Sequence, residues 1–173
     1  MRPPGSATFV DELLELRRQL DELRRRPARA PVCQVFPAGD TALPANTDVY
    51  ASGTWSVRSD DEALFLPGSP AGVLIPADGR WLLRNRANIA VAAGEQMNTR
   101  IYLNGTGLAN RVAIGNTGAN PKGGRVTITA EREVVLTSSD VIYWSYWTST
   151  AGTVYGGENG LQTEFMARYV GPA

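Results

Sequence analysis

"DVIYWSYWTST", Asp140 to Thr150, is a stretch in which the alternation of apolar and polar residues fails. In an extended strand successive side chains point to opposite faces, so Val141, Tyr143 and Trp147 face one way and Ile142, Trp144 and Tyr146 the other. Both faces then carry large apolar or aromatic groups. A strand of an antiparallel sandwich ordinarily shows water one face, so the outer face of this strand is expected to be covered as well. A neighbouring subunit is one cover, because aromatic side chains bury much area with few rotors to freeze. Loops of the same chain are the alternative, and parity alone leaves open which face meets a partner.

Working outward, the segments from Val32 onward are short apolar or alternating runs punctuated by Gly, Pro, Asn and Asp: "VCQVF", "EALFLP", "AGVLIP", "GRWLLRN", "TRIYLNG", "GRVTITAEREVVL" and "LQTEFMARYV". That is the rhythm of a sandwich or jelly roll. Between Arg125 and Leu136, Val126, Ile128, Ala130, Val134 and Leu136 share one face, interrupted by Arg132, while Thr127, Thr129, Glu131 and Glu133 share the other. Asn104-Gly105 reads as a tight turn, and "PKGG", Pro121 to Gly124, as a loop.

Ahead of this β-rich stretch stands "TFVDELLELRRQLDELRRRP", Thr8 to Pro27. Phe9, Leu13, Leu16, Leu20 and Leu23 are spaced by alternating fours and threes, the seam of a heptad repeat. Thr8 suits the N-cap, Asp11 and Glu12 the first turn, and Arg24 to Arg26 the last, before Pro27 stops the helix. With Leu13 and Leu20 at a and Leu16 and Leu23 at d, Glu12 falls at g and Arg17 at the following e, a pair suited to bridging parallel chains. A helix this short is marginal alone, so the head is expected to assist its association. The alternative, supported by Val10 and Leu14 off the seam, is an amphipathic helix docked on its own domain. The expected organisation is a tail at 1–7, a helix at 8–26, a Pro-rich linker at 27–34 and a β-sandwich at 35–173.

The 173 residues carry 17 Lys plus Arg against 17 Asp plus Glu, so no overall field recruits nucleic acid or an anionic membrane. Arg17, Arg18, Arg24 to Arg26 and Arg29 cluster without interleaved aromatics, which fits the flank of a helix better than a nucleic-acid surface. Cys33 is the single cysteine and reads as a small buried hydrophobe. With no signal-peptide pattern or membrane-length apolar run, the expectation is action where the protein is made, or release by lysis.

From Val35 to Gly171 the order of signals resembles the trimeric jelly roll of the tumour necrosis factor and complement globular-head superfamily. "LIPADGRWLLRNRANIAV" resembles its strand entered by a Pro and a Gly, and "TRIYLNGT" its strand ending in an Asn-Gly turn. "VVLTSSDVIYWSYW" resembles its leucine, turn, Asp and apolar-strand element, and "LQTEFMARYVG" its closing strand. The resemblance implies ten or so strands in two sheets packed as a threefold trimer, commonly behind an N-terminal coiled coil. A second likeness lies in residues 1–31, where a short helix ahead of a compact β domain looks like small minor tail, fibre or decoration proteins of bacteriophages infecting high-GC bacteria. That likeness implies a non-enzymatic component of the virion surface, made in the host cytoplasm. The helix is shorter than most fibre shafts, which favours a small knob.

The chain contains no His, which removes the common general base, the usual triads and most transition-metal sites. Of the remaining carboxylates, Asp60, Asp61 and Glu62 read as a solvated loop, and Glu131 and Glu133 as the wet side of a strand balanced by Arg132 or a cross-strand base. The glycines of "GLANRVAIGNTGANPKGG" lack the strand-loop-helix context of a phosphate cradle. No catalytic, cofactor-binding or metal site is therefore expected. Loops at the end of a β-scaffold offer Asn116, Tyr155 and Asn159 to a host-surface glycan. The expected molecule is a mainly β jelly-roll head with one N-terminal helix, a homotrimeric knob of a phage tail. Phe9, Leu13, Leu16, Leu20 and Leu23 would serve association, and Tyr143, Trp144, Tyr146 and Trp147 core and subunit contacts. Capsid decoration and a glycan-binding adhesin are the alternatives. Itself, other virion proteins and a glycan are the expected partners.

Overall fold

The computed structural model describes residues 9–25, 30–120, 122–157 and 163–173, which divide into two compact units, 1–30 and 31–173. In the first, Phe9–Arg25 forms α1, with Asp11 and Glu12 in its first turn, where the helix dipole favours them. Arg18 clasps Glu15 through Nη2 at 2.7 Å and Nε at 2.9 Å, and Gln19 adds a third donor. These donors hold the Glu15 carboxyl down at about 2. Leu13 and Leu16 of the seam are 50% and 60% exposed. The side chains of Phe9, Leu20 and Leu23 lie outside the described residues.

The second unit is a sandwich of two antiparallel sheets. Sheet A contains β1 (Val32–Pro37), β2 (Thr41–Leu43), β4 (Trp55–Asp60), β7 (Gly79–Val91), β10 (Gly124–Leu136), β12 (Gly152–Val154) and β13 (Glu164–Gly171). Sheet B contains β3 (Val49–Tyr50), β5 (Phe65–Leu66), β6 (Gly72–Leu74), β8 (Glu95–Leu103), β9 (Arg111–Asn120) and β11 (Val141–Thr148). Because β1 begins at Val32, residues 32–34 of the expected linker belong to the head.

In sheet A, β7 is the organising strand. β10 runs along one edge of it from Gly79 to Val91, and β13 and β12 divide the other edge. Strict alternation along β7 sends Trp81, Leu83, Ala87 and Ile89 inward. In sheet B the order is β5-β6-β11-β8-β9, with β3 also on β11. Ile142, Trp144, Tyr146 and Thr148 of β11 enter the core together with Met97, Thr99 and Ile101 of β8. Trp144 stacks on Phe165 of sheet A and takes the edge of Trp55 at 5.1 Å. Asn85 crosses between the sheets, its Nδ2 donating to the carbonyls of Arg100 and Ser145 at 3.2 and 3.3 Å.

One long side of the sandwich is closed where β9 meets β10. Gly115 lies so near the backbone of β10 that a Cβ there would sit 2.1 Å from the Thr129 carbonyl oxygen. Arg132 Nη1 donates to the Val112 carbonyl at 2.7 Å across the same seam. Arg132 therefore serves this closure, while Glu131 and Glu133 are balanced by Arg84 and Arg80 of β7.

The Asn104-Gly105 turn expected to be tight is instead the start of a loop through 110 that includes a 3-10 turn, Leu108–Asn110. Asn104 adopts φ 55° and uses its side chain elsewhere, donating to Asp140 at 2.7 Å and accepting from the Val141 amide at 2.8 Å. Asp140 in turn accepts from the Thr137 amide at 2.8 Å, which fixes the turn leading into β11.

Candidate functional site

The sandwich has two outer faces of different character. On sheet B, register decides the neighbours: Tyr143 lies opposite Tyr102, Ser145 opposite Arg100 and Trp147 opposite Asn98. Asn98 in turn pairs with Asn116 of β9, and Ser145 with Tyr50 of β3. Residues directly opposite point to the same face, so these side chains form rows running across the strands.

A continuous polar network ties the rows together. Tyr50 donates its hydroxyl to the Thr106 carbonyl in the 104–110 loop, and its ring lies 5.5 Å from that of Tyr102. Beneath this cover Tyr102 is fully buried although it stands on the outer face. Its hydroxyl meets Ser145 Oγ at 3.2 Å, and Ser145 Oγ donates to Asp48 at 3.2 Å. Arg100 Nη1 donates to both oxygens of Asp48. With side chains only 12% and 24% exposed, Arg100 and Asp48 form a nearly desolvated pair, in which charge-assisted bonds are strongest. The guanidinium carbon lies 5.8 Å from the centre of the Trp147 ring. Burial, Tyr102 and the Asp48 carboxylate together push the Tyr50 phenol up to about 12, so it is a neutral donor at ordinary pH.

The outer face of sheet A is a lattice of charge. Glu164, 5% exposed, accepts from Gln34 Nε2 at 2.7 Å and Arg84 Nη2 at 2.9 Å. Arg84 also lies 4.0 Å from Glu131, and Arg80 3.3 Å from Glu133. The chain thus neutralises most of this face by itself.

Of the four aromatics expected to serve both core and subunit contacts, Trp144 and Tyr146 belong to the core alone. They are buried by their own sandwich and have no surface to offer a second subunit, because alternation directs them between the sheets. Tyr143 and Trp147 point outward and are half-buried. Asn116 and Tyr155 do not form one site. Asn116 is exposed on the outer face of sheet B, whereas Tyr155 lies on the side of sheet A, under the Arg125 guanidinium at 3.4 Å from its ring. Asn159 falls outside the described residues.

Asp48, Asn98 and Arg100 were not singled out from sequence. Asn98 and Arg100 were findable as the outward positions of "QMNTRIYL", alternating with Met97, Thr99 and Ile101. Asp48 carried no such signal, since its partners are 52 and 97 residues away in the chain.

Asp60, an expected loop carboxylate, accepts from the backbone amides of Leu64 at 2.6 Å and Phe65 at 3.2 Å, which makes it a loop staple. Among the described residues no group of three metal-ligating side chains converges, and no helix is long and apolar enough to cross a membrane.

No protein-family model and no curated protein matches this sequence. Solved structures do. Eiger, a tumour necrosis factor from S. frugiperda, is 8% identical with a TM-score of 0.62, the match covering 86% of this chain and 96% of that one. The globular domain of zebrafish complement 1qA is 11% identical with a TM-score of 0.58, covering 83% and 99%. Murine APRIL is 11% identical with a TM-score of 0.56, covering 82% and 100%. At such identities the likeness is one of fold: the head is a jelly roll of the tumour necrosis factor and complement globular-head type.

Proposed function

We propose that this chain is a non-enzymatic structural protein that assembles as a homotrimer and forms a surface knob on a bacteriophage tail. Capsid decoration is the alternative location. What supports the assembly reading is the apolar surface left open on α1: Leu13 and Leu16, on the stripe that a parallel coiled coil buries, are 50% and 60% exposed, as is Leu14 beside them at 62%. The fold type supports it, because the resemblance noted above implies threefold association.

On the head, the face of sheet A suits self-association better than that of sheet B. Its Arg and Glu side chains are already paired and Glu164 is already out of water, so a second copy meeting this face leaves few charges without a partner. The absence of His from the sequence and the engagement of Asp60, Glu131, Glu133 and Glu164 with amides or arginines support a non-enzymatic role. The virion assignment rests on the likeness of residues 1–31.

Sedimentation equilibrium of the full chain and of a chain starting at Val32 tests the assembly. Trimers in both place the main contacts in the head, and a trimer only in the full chain places them in α1. Monomers in both overturn the proposal. Immunogold labelling of purified particles tests the location, with label expected on the tail, and unlabelled particles would reject a virion role.

A further inference from the structure

We propose that Asp48, Trp147, Asn98 and Asn116, flanked by Arg100, form a shelf on sheet B that binds a neutral sugar ring of an oligo- or polysaccharide. This goes beyond assembly and uses the face that assembly through sheet A leaves open.

The first argument is placement. Trp147, Asn98 and Asn116 are in direct register across β11, β8 and β9, so a flat indole and two carboxamides stand in one line, adjacent strands about 4.8 Å apart. Asp48 closes the row at the β3 side, where its carboxylate reaches Ser145 and Arg100. Arg100 and Ser145 form the neighbouring row, beyond which the Tyr50 ring, held by its hydroxyl on the Thr106 carbonyl, lies against Tyr102.

The second is chemistry. A sugar ring has an apolar C–H face, which a flat aromatic matches, and a rim of hydroxyls that each donate and accept. Asn side chains supply both functions and Asp supplies acceptors. The third is rigidity. Asp48, Ser145, Tyr102 and Tyr50 form one connected hydrogen-bonded and ring-packed chain down to the loop, so the Asp48 carboxylate is already held in place when a ligand arrives.

Charge and topology narrow the occupant. Arg100 is neutralised by Asp48 on the chain itself, which leaves no net positive charge to select a phosphate or carboxylate. β11 and β8 are interior strands and β9, the last strand, is closed onto β10, which leaves a peptide no open edge for strand addition along the shelf.

The test is affinity electrophoresis of the full chain through gels containing soluble glucan, mannan, galactan or rhamnan, with N-acetylglucosamine oligomers as competitors. Retardation by at least one is expected, and Trp147→Ala and Asn98→Ala should each weaken it about tenfold, the loss typical of a central contact. Tyr155→Ala, on the opposite side, should leave it unchanged. Thermal melts and sedimentation of the same samples separate loss of sugar binding from loss of folding or of the trimer. No retardation by any of these polymers, or retardation that survives both substitutions, overturns the shelf. So does Trp147→Ala changing the assembled mass, because the face is then occupied by a second copy.

Discussion

Trp144 of sheet B lies flat on Phe165 of sheet A, their ring centroids 4.1 Å apart and their planes 5° from parallel. This stack joins the two sheets at the centre of the core. Trp144→Ala is therefore expected to cost about 3–5 kcal/mol, by lost transfer energy and by the cavity left between sheets that cannot close up. Urea unfolding reads this directly, and a variant with the wild-type midpoint would remove the stack from the centre of the fold.

Tyr146 gives the opposite expectation. Its hydroxyl is buried and makes no hydrogen bond of proper geometry, and burial drives its ionisation far above the usual range. A buried polar group without a partner costs about 1–3 kcal/mol. Tyr146→Phe should leave stability unchanged or raise it by about 1 kcal/mol. A clear loss on urea unfolding would show that the hydroxyl has a partner.

Closure of the sandwich at Gly115 predicts intolerance of the smallest side chain. Gly115→Ala places a methyl against the Thr129 carbonyl, and backbone on both sides has to move, at about 3 kcal/mol. Gly118→Ala, on the same strand but in open space, is the control and should cost less than about 1 kcal/mol.

Alkaline pH should weaken the fold partly through Cys33. Burial, with Asp60 beside it, pushes the thiol from 9.0 to about 12. Above the unfolded value the unfolded chain loses the proton while the folded chain keeps it. The contribution is thus whole below pH 9 and declines as pH rises towards 12. Cys33→Ala should flatten that decline, and the native thiol should resist alkylation until urea unfolds the chain. Rapid labelling of the folded protein would contradict its burial.

The Arg84–Glu164 ion pair on the outer face of sheet A predicts an asymmetry between substitutions. Glu164→Ala leaves Gln34 without its acceptor and Arg84 with only the more distant Glu131, and should cost about 2–3 kcal/mol, less than a fully buried pair because Arg84 is one-third exposed. Glu164→Gln keeps the shape and one acceptor and should cost less. Equal losses would mean that shape, and not charge, holds Arg84.

Much of this architecture was legible from residue order. The parity of "VIYWSYW" separates Ile142, Trp144 and Tyr146 from Tyr143 and Trp147 as the sheet does, and the apolar face of β10 is the buried one. Where reading failed, the cause was long-range register. Nothing local says that Asp48 will meet Arg100, or that Asn116 and Tyr155 will land on opposite faces, because pairing of β9 with β8 and of β12 with β7 is settled by the whole topology. The tight turn at Asn104 failed for a related reason: its side chain is engaged by Asp140, 36 residues on.

The seam between β9 and β10 also bears on how this domain behaves when crowded. Each is the last strand of its sheet on that side, and such strands ordinarily display unpaired amides and carbonyls that invite another chain to add on. Here the two borders are turned towards one another, close enough that only a hydrogen fits at residue 115. On the far side β5 has only two residues and β2 three, and β4 carries the exposed Arg58. Sheet-to-sheet polymerisation therefore has few places to start, so a concentrated solution of this domain is expected to stay free of strand exchange.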